Sequence, residues 1–238
     1  MQLRRHLPSA GRIVMVVAAA IAAAGIADCA TFGKVGNGTL AGNLEPTVAR
    51  NRASLTELLS ASGGTYIARI LADRDSTFER WPDHVSNPLR VWIDSSSALS
   101  GPQSGFPAAV REAFGEWDTT GIPLRFMYVA RPGDADIRVR WTDHLDRKTG
   151  STTWRTDRYG WLTGSDITLA THISDGHVLD SRGMRAIALH EVGHALGMSH
   201  SIDGHDIMAA LVRVDGLSQT DRNTIKLLYS YQAGRVAN

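Results

Sequence analysis

His190-Glu191-Val192-Gly193-His194-Ala195-Leu196-Gly197-Met198-Ser199-His200 is the stretch on which the reading of this chain turns. On a helix, positions i and i+4 share a face, so His190 and His194 can present two imidazoles to one metal ion. Glu191 lies one step round the helix, within reach of a metal-bound water without being forced to ligate. Ala188, Val192 and Ala195 fall on the opposite side and are expected to face the core. Gly197 is placed to end the helix in a left-handed turn. That turn would send the chain back so that His200 becomes a third ligand, whereas a helix continuing to residue 200 would rotate it away.

Three imidazoles with one open position are the donor set of a catalytic zinc site. A closed structural site needs a fourth protein ligand, and the single cysteine, Cys29, lies near the N-terminus. Zinc lowers the pKa of its water to about 7 and polarises a carbonyl under attack. Glu191 can take the proton from that water and hand it to the leaving amine. The chemistry implied is hydrolysis of a peptide bond without an acyl-enzyme. HExxH alone is a moderate signal; Gly197 and His200 at this spacing make it specific.

Outward from the motif, a helix is expected from about Ser181 to Leu196, after a loop over 172–183 rich in Asp, Gly and His. Before it, Leu89, Val91 and Ile93 alternate with polar or larger neighbours, as do Leu124, Phe126 and Tyr128, and Ile137, Val139 and Trp141; each reads as a strand. Thr149–Thr156 and Trp161–Thr171 read as two more, around the turn Asp157–Gly160. Pro107 fits a first helical turn, with Val110, Phe114 and Trp117 as an apolar stripe behind it. Ser218-x-x-Asp221 is a capping box opening a last helix whose apolar face carries Ile225, Leu228 and Tyr229. The order strand, helix, several strands, helix, helix describes an α+β domain with its helices on one side of a twisted mixed sheet.

The extended motif resembles the signature of the metzincin metallopeptidases, HExxHxxGxxH followed by a Met-turn. Within that clan the chain is most similar to the matrixins, peptidase family M10, of bacterial type. Ser201 follows the third histidine; Asp206-Ile207-Met208 stands where the Met-turn would be; Leu217 to Tyr229 looks like the matrixin C-terminal helix; Ala135 to Val139 looks like the family's central strand. Gly64-Thr65-Tyr66 through Arg80-Trp81-Pro82 extends the likeness, which runs from about residue 64 to 230. The resemblance implies a metzincin (zincin-like) catalytic domain with an active-site helix and a C-terminal helix. It implies zinc held by His190, His194 and His200, with Glu191 as general base, Gly197 as the helix-ending turn and Met208 as a hydrophobic base beneath the metal. Ala209 and Ala210 follow Met208, so the tyrosine ligand of some relatives is not expected. Residues 209–214 are expected to wall the pocket for the side chain just after the cut. An extended substrate, a protein or peptide, would pair with a sheet edge, and Thr149–Thr156 is the candidate edge.

The chain also departs from the animal matrixins. No cysteine after the N-terminal region can occupy the zinc, which leaves a cysteine latency switch out. The family's second, structural zinc site is not matched; His144, His172, His177 and Asp175 are its candidates. Calcium fits the Asp-rich loops in general and is assigned to no residue. His205 is expected at the surface.

The 238 residues, with 43% hydrophobic and 21% charged residues, suffice for one domain with an appendage. A formal net charge of +1 gives no support to a nucleic-acid partner. Residues 1–30 combine the basic Arg4, Arg5 and Arg12 with an apolar run from Ile13 to Ala27, about fifteen residues where a span needs roughly 20. That pattern reads as a signal peptide; an uncleaved anchor and a lipoprotein leader with lipid on Cys29 are the alternatives. Its removal would turn the charge to about −2. Residues 31–85 read as a Gly-rich linker and an N-terminal extension with a short helix near 54–61, and 86–238 as the peptidase domain. Tyr66, Ile67, Ile70 and Leu71 are expected to pack on that domain. The expected protein is therefore a monomeric, exported zinc metalloendopeptidase, secreted or held in the cell envelope, with membrane contact only through its leader or a lipid. The rival readings are a zinc-binding protein without activity and an enzyme for one substrate or for itself.

Overall fold

A computed structural model describes residues 63–95, 101–173 and 176–235. The leader expected over residues 1–30, Cys29, the helix expected near 54–61 and Asp175 lie outside these residues.

The alternating apolar positions do become strands. β2 (His84–Ile93), β3 (Leu124–Tyr128), β4 (Ile137–Thr142), β5 (Gly150–Thr156) and β6 (Leu162–Ala170) form one sheet in the order β3-β2-β4-β6-β5. β4, from the Ala135–Val139 segment, lies at its centre. Every pairing is parallel except β5 with β6. β5 thus closes the sheet at one edge by a hairpin, and no described strand pairs with its outer side. β2 begins earlier than its alternation indicates. Pro88, which has no N–H to give, sits where the register against β3 shifts between His84 and Leu89.

Leu89, Val91, Ile93, Ile137, Val139, Ile167 and Leu169 are buried on one sheet face. The helices α2 (Phe106–Asp118) and α3 (Ser181–Ala195) join them in a single core. Phe106, Val110, Phe114 and Trp117 supply the face of α2. Each such side chain contributes about 1.5–3 kcal/mol by leaving water. Pro107 stands in the first turn of α2, where its missing N–H costs nothing. Asp180 caps α3 by accepting from the Gly183 N–H at 2.6 Å. The capping box forms on α4 (Gln219–Ser230): Ser218 Oγ accepts from Asp221 N at 2.9 Å, and Asp221 Oδ2 from Ser218 N at 3.0 Å.

Residues N-terminal to the sheet are built into the same core. Tyr66 and Ile70 are buried, as is Ile67 in α1 (Ile67–Asp73). Tyr66 reaches α4 twice, its hydroxyl donating to Asp221 Oδ1 at 2.8 Å and its N–H to Thr224 Oγ1 at 3.1 Å. β1 (Thr77–Phe78) pairs with β7 (Gly234–Arg235), and Arg80 Nε donates to Tyr231 O at 2.6 Å. The two-residue pairing of β1 with β7 is too short for periodicity to show. Among the described residues no helix is long and apolar enough to cross a membrane.

Candidate metal centre

α3 ends where the sequence says it must. Gly197 has φ of +102°, and a β-carbon there would overlap the main-chain oxygen of Glu79. Only glycine fits both the left-handed turn and the approach of the N-terminal segment. The carbonyls stranded at the helix end find side-chain donors: Trp81 Nε1 to Ala195 O at 2.8 Å and Tyr229 hydroxyl to Leu196 O at 2.9 Å.

The turn brings three imidazoles together. His194 Nε2 is 3.1 Å from His190 Nε2 and 3.2 Å from His200 Nε2. Three nitrogens about 2.0–2.1 Å from a tetrahedral ion would stand about 3.3 Å apart. These three histidines are the one group of metal-ligating type among the described residues. The far nitrogens of the two helical histidines fix their tautomers. His190 Nδ1 lies 2.7 Å from Ile207 O, and His194 Nδ1 lies 2.9 Å from Met198 O. A carbonyl only accepts, so each Nδ1 carries the proton and each Nε2 keeps its lone pair for the shared centre. Burial is the main reason all three stay neutral: His190 is lowered to about 4, and His194 and His200 are also lowered. A neutral imidazole is the form a metal takes. The donor set, spacing and protonation therefore fit zinc.

The segment after His200 folds back under α3. Ser201 N donates to Met208 O at 2.8 Å, and Asp206 accepts from the hydroxyls of Ser201 and Ser218. Asp221 Oδ2 accepts from Ile207 N at 2.8 Å, whose carbonyl in turn serves His190. Met208 is fully buried, and a β-carbon at Gly193 would overlap its sulfur. Gly193 lies between the two helical histidines, so the turn can pack directly beneath them.

Glu191 is 3% exposed and faces β5. Burial raises its carboxyl to about 7, against the opposing pull of the Thr152 hydroxyl and Lys148. Arg74, brought in by the N-terminal segment, donates to Glu79 Oε2 at 3.0 Å and to Met198 O at 3.2 Å, the carbonyl that holds His194.

The sequence model of the matrixins, Peptidase_M10, matches residues 86–230. The chain belongs to the matrixin family. It is 26% identical over 203 residues to matrix metalloproteinase-C of Caenorhabditis elegans, covering 74% of this chain and 33% of that protein. It is 29% identical over 137 residues to the interstitial collagenase of the horse, Equus caballus, covering 54% of this chain and 29% of that protein. The chain therefore spans about a third of the length of these relatives.

In this matrixin the remaining candidate residues are dispersed. His144 and His172 stack with ring centroids 5.1 Å apart, but no third ligand of metal-binding type joins them among the described residues. His205 projects into solvent beside Asp203. No local sequence pattern marks Gly150, Thr152 or Arg74 as part of the site. Period-two spacing alone puts Gly150 and Thr152 on one side of β5, but only the fold says that this side meets Glu191.

Proposed function

We propose that this chain is an exported zinc-dependent metalloendopeptidase. The observation that carries the reading is the meeting of three Nε2 atoms at a helix that also carries a buried glutamate, which faces a strand left unpaired on its outer side among the described residues. His190, His194 and His200 hold the ion. Zinc bound there supplies Lewis acidity, lowering the pKa of water to about 7 and polarising the scissile carbonyl. Glu191 takes a proton from the attacking water as its oxygen adds to the carbonyl carbon. When the C–N bond breaks, Glu191 delivers that proton to the leaving nitrogen while the water's second proton stays on the new carboxyl, so the products are a carboxylic acid and an amine, which ionise in neutral water to a carboxylate and an ammonium. The outer edge of β5 receives the substrate backbone as an added strand, which favours extended, unfolded peptide. Residues 209–214 line the pocket for the side chain after the cut, and their mainly apolar character selects an apolar one. The basic start and apolar run of residues 1–30 support export.

The test is cleavage of an unfolded protein by the purified chain, removed by a chelator and restored by stoichiometric zinc. A zinc-loaded, folded chain that cleaves nothing would count against the reading.

A further inference from the structure

The side chain that would act as base is held by the sheet and not by its own helix. Thr152 Oγ1 donates to Glu191 Oε2 at 2.6 Å, the short separation of a hydroxyl on a carboxylate. Glu191 Oε1 lies against Gly150, where a β-carbon would overlap it. Gly150 and Thr152 are two residues apart on β5 and so face the same side. The strand thus offers a notch for one carboxylate oxygen and a hydroxyl for the other. A glutamate side chain has several free torsions, whereas threonine is stiff at χ1, so its hydroxyl is aimed before the carboxylate arrives.

We propose that Thr152 is a positioning residue that fixes the Glu191 carboxylate in its working orientation, with Gly150 as the notch that makes room for it. This rests on the peptidase reading of Glu191. The hydroxyl has a second acceptor, the main-chain oxygen of Glu191, at 3.1 Å. A turn about the Cβ–Oγ1 bond moves its one proton from the carboxylate to that oxygen. Oγ1 can then accept from the protonated acid, so Thr152 keeps a partner before and after Glu191 has taken its proton. The proposed substrate edge and the support of the base are the same strand, so a peptide aligned on β5 is registered against the group that serves it.

The full chain is compared as wild type, Thr152→Val, Thr152→Ser and Glu191→Gln, each zinc-loaded. Thr152→Val keeps the shape and loses the hydroxyl. It is expected to lower kcat about 10- to 100-fold, the loss for one hydrogen bond to a charged group. KM and zinc affinity should stay at wild-type values, the melting temperature should fall by no more than one lost hydrogen bond accounts for, and Thr152→Ser should recover most of kcat. Crystal structures of the zinc-loaded wild type and Thr152→Val should show Glu191 against Gly150 in the first and displaced in the second. The inference is overturned by wild-type kcat in Thr152→Val, by equal losses in the valine and serine variants, or by a loss that tracks zinc affinity. The same Glu191 position in both crystal structures would overturn it too. An active Glu191→Gln, or an inactive wild type, would instead sink the peptidase reading; the crystal comparison then still decides what Thr152 does.

Discussion

Gly197→Ala adds one methyl group to a residue that touches no substrate in this account. Its φ of +102° is a conformation a β-carbon disfavours, by about 1–2 kcal/mol. The methyl would also overlap Glu79 O, a main-chain atom that cannot rotate away. Forcing a group into such a closed contact costs about 1–3 kcal/mol more. The variant should therefore lose about 2–5 kcal/mol in chemical denaturation, and its melting temperature should fall by roughly 2–4 °C per kcal/mol. The turn carries Met198, whose carbonyl orients His194, and leads directly to His200. Zinc affinity, read by competition with a chelating dye, should weaken along with stability. A Gly197→Ala protein within about 0.5 kcal/mol of wild type and with unchanged zinc affinity would refute the reasoning.

Tyr66→Phe removes the hydroxyl that donates to Asp221 while leaving that carboxylate its two main-chain donors from Ile207 and Ser218. Urea unfolding should show a loss of about 1.5–3 kcal/mol, and no loss would mean that the segment from residue 66 is not part of the cooperative fold. Asp166 bridges three strands through Arg138, Arg155 and Arg140. Burial pushes its carboxyl up, but the three guanidiniums outweigh this and hold it below the usual range. A carboxyl lowered in the folded state stabilises above its unfolded pKa, about 4, and that contribution is lost as pH falls through the folded value. Asp166→Asn should be less stable than wild type at pH 7, by up to about 1 kcal/mol for so accessible a cluster, with the gap closing below about pH 4. A gap that is constant from neutral to acid pH would contradict that assignment.

The parts legible in the sequence are those where one residue type answers to one physical need. The i, i+4 histidines, the glycine that ends α3 and the capping box at Ser218 all rest on helix geometry, which is local. The alternation in β2 and β4 likewise follows from a sheet with one buried face. What was not legible depends on contacts distant in sequence. The stiff Thr152 meets Glu191 across 39 positions, and Arg74 reaches Met198 O across 124. No local pattern marks either residue, because each is selected by the element it packs against. Pro88 shows the converse: the alternation begins after it, at Leu89, yet β2 runs back past it to His84 because the register slips there.

Glu191→Ala tests the central claim most directly. The variant should bind zinc through the same three histidines as wild type, because its carboxylate contacts β5 and is not among the grouped ligands. With both proteins loaded with one equivalent of zinc, the account predicts cleavage of an unfolded protein by wild type and a loss of at least about 100-fold in Glu191→Ala, the scale of a general base. Equal cleavage by the two proteins at equal zinc content would contradict it.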